Sequence, residues 1–254
     1  QEVYFTAGGS ESDNWALRSA TAMLEKKGKH IITSAVEHHA VLHTCEYLEK
    51  KRGYRITYLP VDEYGRVNPA DVKAAISEDT VLISIMAANN EIGTLQPIAE
   101  IGKIAKEAGV LFHTDAVQAV GAIPIDVNAL NVDMLSLSAH KFHGPKGVGA
   151  LYIRKGVRMT NLIFGGAQER NLRAGTENLA SIVGLGKAIE IAVAELPEYQ
   201  KRMTALRDRL INGILKEIPD VRLNGHATER LPANVNVSVR YIEGESLLMR
   251  LDLA

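Results

Sequence analysis

The stretch TVLISIMAANNEIGTLQPIAEIGKIAKEAGVLFHTDA (residues 80–116) opens on an apolar run, 80–87, and closes on a second, 110–116. Between them Ile98, Ile101, Ala105 and Ala108 recur at helical spacing over 97–108, the stripe of a helix with one buried face. Both flanking runs are continuous rather than alternating, the pattern of strands covered on both faces. Strand, helix and strand in this order predict an α/β unit built on a mainly parallel sheet.

The same rhythm extends in both directions. VYFT (3–6), HIITS (30–34), ITYLPV (56–61), DMLSLSA (133–139) and GALYIRK (149–155) add further strand candidates, which makes seven in all. Leu17, Ala20 and Leu24 mark a helix over 11–27. The last two strands are close enough to pair as a hairpin, so the sheet is expected to be mixed. Beyond residue 178 the pattern is long and helical, with Leu206, Leu210 and Ile214 on one face and Pro197 as a break, kink or new start. NVNVSV (234–239) then reads as a strand and EGESLLMRL (243–251) as the opening of a helix. These are too little to bury a core alone, so the expected division is a large domain over 1–220 and the beginning of a smaller one over 221–254.

Composition narrows the function classes. With 29 basic and 30 acidic residues interspersed, the net charge is −1, which gives no electrostatic footprint for nucleic acid or an anionic membrane. No apolar run approaches the roughly 18 residues of a membrane helix. Cys45 is the only cysteine, which excludes an intramolecular disulfide and fits a reducing, cytoplasmic setting. The start QEVYFTAGG lacks an initiator methionine and enters a strand almost directly; we expect an excerpt of a longer protein.

Ligands of open α/β sheets sit beyond the carboxyl ends of the strands. Asp115 closes one strand and Lys141 follows another in SLSAHKFHGPKG (136–147), with a connection long enough for a crossover helix. If those strands are parallel neighbours, an acid and an amine face one crevice. Pyridoxal phosphate needs both, an amine for its aldehyde and an acid for its ring nitrogen. Gln118 lies one short turn beyond Asp115, within reach of the phenolate oxygen. TAGGSESDN (6–14) places Gly9 and Ser10 at a helix start that attracts an anion, and Ser138 and His140 add two phosphate donors, one of them able to carry charge. Each of these has an ordinary structural reading as well: a solvated lysine, a capping aspartate, a helix cap.

His38 in SAVEHHAV (34–41) follows the second strand and offers a stacking face and a proton carrier, with His39 as a competitor. Asn90 follows the fourth strand. His39 and His43 share a helix face without acidic ligands beside them, and we expect no metal. Cys45 reads as a small core residue rather than a nucleophile.

Taken in order, FTAGGSESDN, SAVEHHAVLHTC, IMAANNEIGTLQPI, FHTDAVQAVG, SAHKFHGPKGVGALYIR and GGAQERNLRAGTEN resemble the cysteine desulfurases of the NifS and IscS type, within the class V aminotransferases. The resemblance covers essentially the whole chain. It implies the fold-type I architecture of pyridoxal phosphate enzymes, a homodimer, and conversion of L-cysteine to L-alanine with sulfur passed to an enzyme persulfide and on to an acceptor or iron–sulfur scaffold protein. By motif, Lys141 would hold the cofactor and act in catalysis, Asp115 its ring nitrogen and Gln118 its phenolate oxygen. Gly9, Ser10, Ser138 and His140 would bind the phosphate region, with Ala139 between the last two also in contact. Thr176 in RAGT would reach the phosphate of the partner subunit, His38 would stack on the ring, and Asn90 would touch cofactor and substrate.

The resemblance also implies departures. The family's catalytic cysteine, in a serine-rich loop, and its carboxylate-binding arginine are expected beyond residue 254, and an early segment before residue 1. Cys45 matches a non-catalytic helix position. Two other readings stay open: a related enzyme of the same fold, such as a selenocysteine lyase or aminotransferase, and a non-catalytic scaffold fragment.

Overall fold

The computed structural model describes residues 2–253. All seven strand candidates of the sequence form one sheet: β1 (Val3–Thr6), β2 (His30–Ser34), β3 (Arg55–Leu59), β4 (Thr80–Ser84), β5 (Leu111–Asp115), β6 (Met134–Ser138) and β7 (Gly149–Ile153), in the order β1-β7-β6-β5-β4-β2-β3. From β3 to β6 every pair is parallel. β7 turns back against β6 as the expected hairpin, and β1 pairs antiparallel with β7. Two reversals leave β1 running with the parallel strands, so Thr6, Gly149 and Ser138 stand side by side in register.

The continuous apolar runs divide residue by residue between two cores. Ile31, Leu82 and Met134 pack in one cluster with Trp15, Leu17, Val41, Cys45 and Leu48 from α1 (Gly9–Leu24) and α2 (His39–Arg52). Their neighbours Ile32, Ile83 and Leu135 pack in the other, with Ile98, Ile101 and Ala105 of α4 (Ile98–Ala108) and Val72 of α3 (Pro69–Ala75). Successive residues of a strand face opposite sides, so a strand between two helical layers must be apolar at every position. Truncating Phe112, fully buried in that second core, would cost about 3–5 kcal/mol.

Some local expectations are corrected. The connection from β5 to β6 holds turns and no helix, because Gly121, at a positive φ of 80°, and Pro124 interrupt it. After a single turn, α5 (Gln168–Asn171), the long helix α6 (Leu179–Glu217) runs unbroken through Pro197. The carbonyl that loses its donor there belongs to Val193, an exposed residue, so the lost bond falls on a solvent-facing turn. Leu206 and Leu210 face solvent, while Leu185, Arg207 and Ile211 are the buried positions of that helix. A strand that the sequence reading lacks, β8 (Val221–Leu223), pairs antiparallel with β9 (Val237–Val239) in a separate two-stranded sheet, followed by α7 (Gly244–Asp252). No helix among the described residues is long and apolar enough to cross a membrane.

Candidate active site

The parallel strands end at one edge of the sheet, and five segments leave that edge around a cavity of about 210 Å³. The first is the start of α1. Gly8 is its N-cap and no side chain caps it, so its first amides are left without intrahelical acceptors. A Cβ at Gly9 would lie 2.4 Å from Cγ2 of Val117, so any larger residue would force Val117 or the helix start to shift. The result is a bare helix start against the β5 loop, with Ser10 beside it on the cavity wall. Such a terminus is an anion site.

β6 delivers the next group. Ser138 is buried, and its Oγ lies 2.9 Å from Nδ1 of His140. The short 3-10 turn Ala139–Phe142 then swings Lys141 to the cavity. Burial, followed by the nearby Lys141 and Lys146 ammonium groups, holds His140 below the usual histidine range.

Asp115 ends β5, next to β6 in the parallel sheet. Its Oδ1 accepts the amide of Val117 at 2.9 Å. Burial raises its pKa; the Val117 amide, His38 and Lys141 oppose that rise. A buried carboxylate opposed to a cationic group across a cavity is the arrangement that stabilises a protonated ring nitrogen. Gln118 follows on the same wall.

Two loops complete the enclosure. After β2, His38 caps α2, its Nδ1 accepting the Ala40 amide at 3.1 Å. As an acceptor Nδ1 carries no proton, so the proton of the neutral ring is on Nε2. Beneath it Glu37 is buried, and burial pushes its carboxyl up to about 8. After β4, Asn89 folds the loop by accepting the amides of Glu91 and Ile92 at 2.9 and 3.0 Å, and Asn90 lines the cavity.

One cavity thus gathers Gly9, Ser10, His38, Asn90, Asp115, Gln118, Ser138, His140 and Lys141. Ala139 and Thr176 lie elsewhere. Ala139 turns into the core and donates its amide to Val148, and Thr176 lines an outer groove beside Ala7 and Gly147. Cys45 is buried in α2, and burial pushes its thiol up to about 12. His39 and His43 stack at 4.9 Å on an exposed face.

Absent from the sequence reading are Asp13, Met86, Ala88 and Val117 of the cavity wall. Asp13 carried a legible signal: it falls on the stripe of Leu17, Ala20 and Leu24, an acid on a buried face. His113, two residues before Asp115 and thus on the same face of β5, is likewise fully buried.

The donor set fits a small molecule with a phosphate, a flat basic heteroaromatic ring and a carbonyl that an amine can attack. Amides and hydroxyls, a buried acid and a lysine line the same cavity.

The family model of the class-V aminotransferases matches residues 1–254. A cysteine desulfurase IscS of Methanosarcina thermophila is 63% identical over 251 residues, covering 99% of this chain and 62% of the relative. A solved NifS-like protein superposes with a TM-score of 0.95 at 45% identity, over 99% of this chain and 68% of that one. A structure described as SspA in complex with cysteine gives 0.84 at 39% identity, over 99% and 69%. The chain spans 62–64% of the length of the Methanosarcina thermophila relative and of a second cysteine desulfurase IscS, from Clostridium botulinum.

Proposed function

The chain belongs to the class-V aminotransferase family, and from that premise we propose that it is the cofactor-binding part of a pyridoxal 5'-phosphate-dependent cysteine desulfurase. The observation that carries this reading is the meeting of Lys141, the buried Asp115 and the bare start of α1 on one cavity. When bound, the cofactor supplies an aldehyde for amines and a protonated ring that accepts an electron pair from the α-carbon of an amino acid.

The residues would divide the work by position. The amides at Gly9 and Ser10, with Ser138 and His140, hold the phosphate. Asp115 keeps the ring nitrogen protonated, and Gln118 donates to the phenolate oxygen. His38, fixed through Nδ1, presents its ring face and its Nε2 proton. Asn90 orients ring substituents or the substrate. Lys141 Nζ would anchor the cofactor and, as a free amine, would be the base for the α-proton.

Removing sulfur from L-cysteine to leave L-alanine requires a thiolate that attacks the substrate Sγ while the carbon–sulfur bond breaks, giving a persulfide. Cys45 does not serve, being buried and protonated. The accepting thiol therefore comes from outside these residues. We further infer a homodimer in which Thr176 reaches the partner's phosphate, a sulfur-accepting protein as the next recipient, and residues 221–254 as the start of a smaller domain. Thr176's place outside the cavity and the exposed Leu179 and Val183 that follow it support the dimer.

Borohydride reduction of the cofactor-loaded protein should fix the label on Lys141, and Lys141→Ala should abolish the visible absorbance. A label on Lys146 would refute the assignment. Release of alanine and sulfide from cysteine, against transfer of an amino group, separates a desulfurase from an aminotransferase.

A further inference from the structure

Two carboxyl groups share the dry wall of the cavity, and only one has been given a task. Asp13 of α1 is as inaccessible as the apolar residues around it, and its Oδ1 has no hydrogen-bond partner. Nε2 of His113 lies 3.6 Å from this oxygen. His113 is already held on both sides, by Ser84 Oγ at 2.9 Å and Ser136 Oγ at 3.0 Å. We propose that Asp13 is a positioning residue, which keeps the one proton that these two carboxyl groups must hold between them and so places the negative charge on Asp115.

The asymmetry of the surroundings supports this. Asp115 has the Val117 amide to steady a charge, and His38 and Lys141 face it across the cavity. Asp13 has only the Ser136 hydroxyl in its favour, with Asp115 and Glu37 both opposing ionisation. His113 offers no cation, since burial drives it down to about 3. Two nearby carboxyl groups without enough compensating charge cannot both ionise cheaply, and the proton goes to the one with fewer donors. Burial first, and then Asp115, raise Asp13 well above the carboxylate range.

The placement has a use that rests on the proposed function. A charged Asp13 would stand one turn inside the helix start that holds the phosphate, and would oppose it. A neutral Asp13 does not, and it leaves the full charge of Asp115 for the ring nitrogen.

The test is carbon-13 NMR of the cofactor-free protein labelled at aspartate carboxyls. The Asp13 signal is identified by its loss in Asp13→Asn, or in Asp13→Glu if the amide fails to fold. Asp13 is expected to keep its acid-form shift at pH values where Asp115 has already ionised. An Asp13 signal that titrates before Asp115, or together with it, overturns the proposal. In addition, Asp13→Asn should move the Asp115 midpoint by less than about half a unit; a fall of more than about one unit would mean that a charge had been removed. Titration with pyridoxal 5'-phosphate separates the two readings. Absence of binding by the unaltered protein would sink the proposed function and leave the proton assignment to the NMR result.

Discussion

Oε1 of Glu37 accepts the Met86 amide at 3.0 Å and the Ser34 hydroxyl at 2.6 Å, while its Oε2 has no partner. This carboxyl ties the loop that carries His38 to the chain leaving β4, which leads to Asn90. Burial keeps this carboxyl protonated against the pull of those two hydrogen bonds, with a pKa raised from 4.5 to about 8. Below the unfolded value of 4.5 both states hold the proton and nothing is lost. As pH rises toward 8 the unfolded state ionises and the folded state does not, so stability falls by about 5 kcal/mol across that window. Glu37→Gln keeps an acceptor for Met86 and removes the titration. Its urea midpoint should gain on that of the unaltered protein between pH 5 and 8.5, and parallel pH profiles would count against this assignment.

Gly9 is where fold and cofactor site compete for the same space. Gly9→Ala puts a methyl 2.4 Å from Cγ2 of Val117, within the contact that sets the helix start beside the Asp115 loop. Either Val117 or the helix start must shift. A stability loss of about 1–3 kcal/mol is expected from overpacking, with pyridoxal 5'-phosphate affinity weakened at least about tenfold as the amides move. Equilibrium titration followed by absorbance, alongside urea unfolding, checks both. A variant that loses stability but keeps full affinity would show that these amides do not hold the phosphate.

Glu11 places a negative charge in the first turn of α1, near the proposed phosphate position, and Arg173 meets it with Nε at 2.8 Å from Oε1. The pair is partly buried, so it is screened less than a surface bridge. Arg173→Ala leaves Glu11 uncompensated and should weaken cofactor affinity several-fold, more at low salt than at high. Glu11→Gln in the same protein should restore most of the loss. Failure of that rescue would indicate that Arg173 acts by holding the 160–178 loop instead.

The sheet was legible because each strand lies between two helical layers and so reads as a continuous apolar run. The line of Asp115 and Lys141 was legible for a related reason: both follow strand ends, and parallel neighbours bring those ends together. The α6 face was not legible, because Leu206 and Leu210 are apolar yet exposed while Arg207 is buried against the Arg230 and Leu231 carbonyls. Hydrophobicity alone cannot reveal a helix face that packs through a guanidinium on backbone oxygens. Glu37 and His113 escaped because contacts that define them come from elsewhere in the chain, the Met86 amide for Glu37 and the Ser84 and Ser136 hydroxyls for His113; Asp13 stood on the α1 stripe, but a polar residue inside an apolar stripe names no partner. Ala139 sits between Ser138 and His140 in sequence, but the 3-10 turn sends its methyl to the core.

Arg230 is the group that holds the Asn90 loop from its far side. It is buried, with Nη1 donating to the His226 carbonyl at 3.1 Å and Nη2 to Ile92, Asn224 and Asn234 at 3.1, 3.2 and 3.0 Å. Its backbone neighbours extend the clamp: Leu95 donates to Glu229 at 2.9 Å, and Leu231 donates to Gly93 at 2.8 Å. Gly93 itself has a φ of 77°, and a Cβ there would meet Asn234 at 2.5 Å, so the loop is fitted closely to this segment. Arg230→Met keeps much of the apolar stem and removes every charged donor, leaving buried carbonyls without partners. A loss of about 2–4 kcal/mol is expected. Hydrogen exchange locates it: the amides of Leu95 and Leu231 should exchange faster at urea-free equilibrium, while the Met86 amide, held by Glu37, should not. Equal acceleration at all three would mean that Arg230 stabilises the whole fold rather than the Asn90 loop.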